Sequence, residues 1–292
     1  MDSSFTRRGF LKSVAAGAAA RVTQEARSAG GAGSQKRPHI VLYISNDHGL
    51  GFVGCYGNSD VRTPHIDAPA REGTLFTDTT DQGSEWPHSK WTLYDAGLHV
   101  PFLAVWPGVT KPSSTCDALI SFIDVTPTFI DTAGGEPPQS LDGKSFPAVL
   151  AGRETSFRDA IYASHTRDGD MNIFPQRCVR DVRYKYLVNL TPDSTWTTHW
   201  SKVSGIPESH KEVWDTWVEK ARTDPQAARI VRLNEHHPWE ELYDTQTDPY
   251  EFNNLANDLA RQPILLKLRR QLAQWLTEQG ETMPGPLERP TA

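Results

Sequence analysis

The run "HIVLYIS", residues 39–45, constrains the fold more than any other stretch. Its apolar residues fall on both parities, so either face of a strand built from it is apolar. Pro38 bounds it on one side and Asn46-Asp47 on the other. A short, continuous run of this kind suits a strand buried on both faces of a parallel sheet. In such sheets ligands sit at the carboxyl ends of the strands. Asn46, Asp47 and His48 stand at that end, and the Gly-rich loop "GLGFVGCYGN" (49–58) follows.

Further elements are spaced along the chain. "TPHIDAPAREG" (63–73) offers Thr63 as N-cap, Pro64 at the first helical position and Gly73 as the stop. Pro69 weakens that helix. "PFLAVWPG" (101–108) is the next strong strand, and "SFIDVTPTFIDTAGG" (121–135) reads as a strand end and a short helix from near Pro127 to Gly134. "SLDGKSFPAVLAG" (140–152) reads as a loop and one or two helical turns. Short strands at 159–165, 177–181, 184–190 and 239–244 predict an antiparallel sheet. Between them lies a helical patch near "HKEVWDTWVEKA". Leu265, Leu268, Leu272 and Trp275 share one helical face and predict an amphipathic helix on that sheet. The layout is an α/β piece over 37–154 and a small α+β piece over 155–292.

The 292 residues are 37% hydrophobic, enough for a sizeable core. A formal net charge of -6 argues against a nucleic-acid partner. No stretch of apolar residues is long enough for a membrane span. The 3 cysteines have no repeated spacing, so no disulfide framework can be read. "TRRGFLKSVAAGAAA" has the pattern of a twin-arginine export signal, and residues 21–36 read as a linker or cleavage region. Residues 1–36 thus predict an exported protein, periplasmic or extracellular.

Asp47 ends one expected strand and Asp81 precedes another; Asn46 and Gln82 add amide oxygens beside them. Two carboxylates and two amides suit a hard cation, Ca²⁺ or Mg²⁺, although Asx pairs also serve as turn formers. Lys90 can hold an oxyanion as a compact charge, or stand solvated beside Trp91. His88 reads as a substrate contact or a surface polar residue. Asp95 suits a turn cap before Gly97. His165 and Arg180 are further anion contacts, unless Arg180 pairs with Asp181.

Several of these stretches resemble the sulfatase family. "RPHIVLYISNDHGLGFVGCYGN…VRTPHID…REGTLFT" is similar to its opening motif. "TTDQGSEWPHSKWTLYDAGLHVPFLAVWPG" resembles a later one, in which an Asp-Asn or Asp-Gln pair completes a calcium site and a Lys precedes W-T-L-Y. "FIDVTPTFIDTAG" and "SLDGKSF" match the next block. "FPQRCVRDVRYKYLVNL" and "WEELYDTQTDPYEFNNLANDLA" resemble the C-terminal subdomain, most closely in the heparan N-sulfatase (sulfamidase) branch. The resemblance spans almost all of residues 37–280. It implies an alkaline-phosphatase-like parallel sheet core, here truncated, plus a C-terminal α+β subdomain.

It also implies roles. Asp47, Asp81 and Gln82 become calcium ligands, with Asn46 where the family has its first Asp. Lys90 holds the sulfate and His88 lies on its approach. The expected partner is a sulfated sugar or glycosaminoglycan-like substrate. One part is missing: the family's C/S-x-P-x-R motif, whose Cys or Ser becomes formylglycine. Cys55 continues as "CYGNS", Cys116 as "CDALI" and Cys178 as "CVRDV". No formylglycine can form, and Ca²⁺ is expected to be weak or lost. An internal segment of domain size is absent between about Thr77 and Thr80. Loss of a covalent nucleophile costs about a million-fold in a comparable hydrolase, so catalysis is not expected. The alternatives are a non-catalytic cation- or sulfate-binding remnant, and a related metal-dependent phosphatase or phosphodiesterase. W-T-L-Y and the sulfamidase-like C-terminal motifs argue against the last.

Overall fold

A computed structural model describes residues 39–80, 83–84, 86–168, 172–198, 201 and 211–281. The twin-arginine stretch, its linker, Asp81 and Gln82 lie outside the described residues.

The run 39–45 is a correction to the sequence reading. It forms no strand, and Val41 and Tyr43 are 89% and 83% exposed. A strand needs a neighbour for its N–H and C=O groups, and one apolar on both sides needs cover on both. Among the described residues no ladder partner meets it. Two 3-10 turns, Leu50–Phe52 and Gly54–Tyr56, follow.

Helix α1 (Pro64–Glu72) starts at Pro64 as expected, with Pro69 inside it. Thr63 does not cap it; its hydroxyl accepts from Gly54 N–H and donates to Asp67 Oδ1, each at 2.8 Å. Gly73 ends the helix where a Cβ would stand 2.0 Å from the Ala104 carbonyl oxygen. That close approach admits only glycine and leads straight into β1 (Thr74–Phe76). After β2 (Thr79–Thr80) and the single-turn α2 (Asp95–Leu98) comes β3 (Phe102–Ala104), inside the expected strand. β1 lies between antiparallel β3 and parallel β4 (Ser114–Cys116). β2 pairs in parallel with β5 (Ile120–Ser121).

A capping box of Ser121 and Asp124 closes the turn that leads into α3 (Val125–Thr132). The single-turn α4 (Pro147–Leu150) then lays Val149 and Leu150 on Phe76, Ile120 and Phe146. These residues form the core of the α/β part.

The C-terminal part matches expectation closely. β6 (Ile161–His165), β7 (Gln176–Arg180), β8 (Tyr184–Asn189) and β9 (Glu240–Asp244) form an antiparallel sheet in chain order. Between β8 and β9 run α5 (Lys211–Ala221) and α6 (Pro225–Glu235). The second of these was not expected. Its signal was present: Asp224 accepts from Gln226 and Ala227 N–H, and Pro225 opens the helix.

Helix α7 (Gln262–Glu278) closes one sheet face. Leu265, Leu268, Leu272 and Leu276 bury there against Val179, Tyr186, Val188 and Leu242. Trp275, predicted on this face, flanks it and stacks on Tyr162 at 5.1 Å. The opposite parity of the strands, with Cys178, Leu187 and Tyr243, meets Leu93 and Tyr94. The Lys90-to-Leu98 segment is therefore bound to the C-terminal sheet by its own apolar residues.

Candidate functional site

Two loops meet in front of that segment. A Cβ on Gly49 would stand 2.8 Å from Ser84 Cβ, so the backbone after Asp47 presses on Ser84. Ser84 in turn anchors the second loop. Its carbonyl accepts from Lys90 N–H at 2.9 Å and from the Ser89 hydroxyl at 2.6 Å. Asp47, His88 and Trp91 all hold positive φ, at 56°, 63° and 69°. Such conformations cost about 1–3 kcal/mol each and persist only where packing over-determines them.

These loops bring Lys90 to Asp47. The ammonium lies 2.6 Å from Oδ1 and 2.7 Å from Oδ2, and both side chains are mostly shielded. Asn46 Nδ2 donates to Asp47 Oδ2 at 3.0 Å. The Lys90 ammonium also stands 4.8 Å from the centre of the Trp91 ring, a cation–π distance. Trp91 Nε1 donates to Asp168 Oδ2 at 3.0 Å. Asp168 was not anticipated, because its separation of 77 residues from Trp91 leaves no local signal.

His88 faces the C-terminal part. Its ring stacks on Tyr94 at 3.9 Å, and Nε2 lies 3.3 Å from the Tyr250 carbonyl oxygen. Burial first, then the nearby His237, lowers its pKa to about 4. It is therefore neutral near pH 7. Beside it a cavity of about 20 Å³, lined by Tyr94, Trp196, Trp214 and His237 among others, has room for a single water.

Behind the loops lies a buried ionic cluster that the sequence reading missed. Lys185, wholly buried on β8, pairs with Asp95 and lies 3.0 Å from Glu251 Oε1. It also donates to the Leu93 carbonyl at 3.1 Å. Arg180 reaches Asp78 Oδ1 at 2.8 Å and Asp95 Oδ1 at 3.3 Å. Arg180 thus pairs with Asp78 and Asp95 and not with Asp181. Asp95, read as a turn cap, opens α2 and is drawn into this cluster. A second network sets Tyr94 Oη 2.8 Å from Glu241 Oε2 and 2.7 Å from His237 Nδ1. Burial pushes the Glu241 carboxyl up, but hydrogen bonds from His237, Tyr243 and Tyr94 outweigh it and hold the group below its ordinary range. His165 Nε2 binds the Asn172 carbonyl at 2.9 Å. One sign was legible: "YKYLVNL" sets a lysine inside a strand otherwise fit for burial.

No cysteine is activated as a nucleophile. Burial raises all three thiols, and the Asp67 carboxylate raises Cys55 further. Cys178 is pushed up to about 12.

The described residues do not fit a calcium centre. Calcium takes six to eight oxygens. Here the Asp47 carboxylate is taken by an ammonium, and Asn46 turns its nitrogen toward it. Among the described residues no group of three His, Cys, Asp or Glu side chains is gathered.

The family model for the C-terminal part of N-sulphoglucosamine sulphohydrolase matches residues 84–216. An ulvan-active sulfatase of Formosa agariphila is 34% identical over 220 residues, covering 75% of this chain and 40% of that protein. Human N-sulphoglucosamine sulphohydrolase is 26% identical over 228 residues, covering 73% of this chain and 43% of that protein. A solved 2-O GAG sulfatase overlays with a TM-score of 0.45 at 24% identity, over 65% of this chain and 32% of its own. The chain thus spans about two fifths of the length of these curated relatives. The matched family region begins at Ser84, the residue that anchors the Lys90 loop, and runs through the first three strands of the C-terminal sheet. With sulfatases matched over three quarters of its length, the chain belongs to the sulfatase family and resembles its sulfamidase-like bacterial members.

Proposed function

We propose that this chain derives from hydrolases of sulfate esters or N-sulfates on sugars, and keeps the charge-holding half of their site without the bond-breaking half. The observation that carries this reading is the contact of Lys90 with Asp47 across 43 residues. It joins the two segments that resemble the opening and the later sulfatase motifs. The compact Lys90 ammonium suits a sulfate oxygen. By the resemblance His88 lies on the approach; its ring is neutral near pH 7, buried and stacked on Tyr94. By the resemblance the metal side is Asn46, Asp47, Asp81 and Gln82, of which the described pair, Asn46 and Asp47, does not fit the ion. Calcium is held weakly or not at all, because Asn46 carries one charge fewer than a carboxylate and affinity follows ligand charge.

The ligand class is a sulfated sugar or glycosaminoglycan-like chain. Relatives named for N-sulphoglucosamine and ulvan support it. Export follows from the Arg7-Arg8 pair. Among the described residues no helix is long and apolar enough to cross a membrane.

The absent C/S-x-P-x-R motif and the three raised thiols both argue against turnover. The test is incubation of the purified chain with a sulfated aryl ester and an N-sulfated glucosamine, with release of inorganic sulfate as the readout. No release above buffer is expected. Saturable hydrolysis that Asp81→Ala abolishes would overturn the reading.

A further inference from the structure

Residues 40–44 are 40%, 89%, 46%, 83% and 59% exposed in turn. Exposure rises and falls with the two-residue period of a strand: Val41 and Tyr43 stand free, and Ile40, Leu42 and Ile44 are more covered. The run has the alternation of a strand without a ladder, for among the described residues no backbone hydrogen bond meets it. A row of unpaired N–H and C=O groups is a template for another chain. The usual guards of an open edge are missing, since 40–44 hold no charged residue and no proline.

What covers this run has to match it in length and character. The open edges of the α/β sheet, β3 and β4, are each only 3 residues long. Residues 1–38 are rich in alanine and glycine, and 282–292 are rich in proline, so neither terminus holds a second run of this kind. The run does match itself. Laid antiparallel on a second copy about Leu42, it sets Leu42 on Leu42, Val41 on Tyr43 and Ile40 on Ile44. Every pair is apolar, and a β-branched residue against an aromatic one is a favourable cross-strand pair. Charge selects the direction. Parallel pairing would set Lys36 and Arg37 of the two copies side by side, whereas antiparallel pairing puts them at opposite ends.

We propose that residues 40–44 pair antiparallel with the same residues of a second copy, about a two-fold axis through Leu42. The same patch is used on both subunits, so the contact is isologous and closes at a dimer. Both Val41–Tyr43 pairs lie on one face of the ribbon, and the Leu42 pair and both Ile40–Ile44 pairs on the other. So short a ribbon buries far less than a standard interface, so the dimer is weak and forms at high protein concentration. The pairing goes beyond the functional reading above and uses neither Lys90 nor Asp47.

The test is sedimentation equilibrium of the full chain over a wide range of concentration. The mass should rise from that of one chain to twice that value and stop there. Val41→Lys and Tyr43→Glu each alter two cross-strand pairs at once and should each weaken self-association about tenfold. A mixture of the two variants brings the introduced ammonium opposite the introduced carboxylate and should recover the dimer. Both positions are the most exposed of the run, so the fold should survive, with circular dichroism as the check. Oxidative cross-linking gives the register independently. Leu42→Cys faces itself across the axis and should join the dimer, and Val41→Cys, opposite Tyr43, should not. Peptide mass distinguishes a bond at residue 42 from one at Cys55, Cys116 or Cys178.

The mass of one chain at every concentration would overturn the pairing. So would growth past the dimer, which marks open-ended stacking instead of a two-fold contact. Cross-linking at residue 41 as readily as at 42, or a mixture that associates no better than its components, would refute the register.

Discussion

Lys185 Nζ lies 3.0 Å from Glu251 Oε1, and both side chains are out of contact with water. The same ammonium pairs with Asp95 and donates to the Leu93 carbonyl. This one residue ties the segment after Lys90 to the C-terminal sheet. Removing one partner of a buried ion pair leaves an uncompensated charge and costs about 3–5 kcal/mol. Lys185→Met should therefore lower stability by that amount in urea unfolding. A midpoint within error of the parent would show that the cluster contributes nothing net.

The same cluster predicts a pH dependence. Burial, and to a lesser degree the charge of Asp95, pushes Glu251 up to about 7, with Lys185 pulling the other way. In the unfolded chain a glutamate titrates near its ordinary value of 4.5. Between those values the folded state binds the extra proton, so stability falls as pH rises through about 7. Glu251→Gln should remove this part of the slope. Urea midpoints of parent and variant, compared at mildly acid and mildly alkaline pH, check it; parallel profiles would refute the assignment.

His88 acts in the opposite sense. Its folded pKa, lowered to about 4, lies below the ordinary histidine value of 6.5. Between them the unfolded chain binds the extra proton, so stability is lost as pH falls from 6.5 toward 4. His88→Phe keeps an aromatic ring to stack on Tyr94 but cannot titrate. It should hold its midpoint better than the parent over that range. The imidazole resonances followed by NMR give the pKa directly, and an ordinary value would contradict the burial argument.

Thiol chemistry separates the cysteines. Cys178 is buried on β7, and its thiol is pushed up to about 12 by that burial. At pH 8 a disulfide reagent should leave Cys178 unlabelled in the native chain and react with it only after denaturation. Prompt native labelling of Cys178, located by peptide mass, would rule out the packing of Leu187 and Tyr243 around it.

Residues 40–44 present five apolar side chains to solvent. An exposed β-prone run with no charge is an association hazard. Val41→Lys with Tyr43→Lys should reduce light scattering on concentration. Both side chains are more than four fifths exposed, so the unfolding midpoint should hardly move. A large loss of stability would show that the run is packed after all.

The elements legible in sequence were those whose signal is local. Leu265, Leu268 and Leu272 fall on one helical face, and the structure buries all of them. The strands around Cys178, Tyr186 and Leu242 carry apolar residues on both parities, and both faces are covered, by α7 and by Leu93 with Tyr94. α6 was overlooked because its face carries charge and only Val231 is buried, although Asp224-Pro225 marked its start. The family resemblance put Lys90 and Asp47 in one site, as sulfate and calcium residues, and did not pair them with each other. Nothing local indicated that the lysine would lie directly against the carboxylate.

The sequence by itself determined the family, the missing nucleophile motif, and the C-terminal sheet with its closing helix. Motif order and hydrophobic periodicity are properties of neighbouring residues and need no partner. Tertiary structure alone decided three things: the exposure of 39–45, the seating of Lys185 among Asp95 and Glu251, and the capture of Asp47 by Lys90. Each depends on which distant group lies opposite. A strand needs another strand, and a buried charge needs its counter-ion; neither partner is written beside it in the chain.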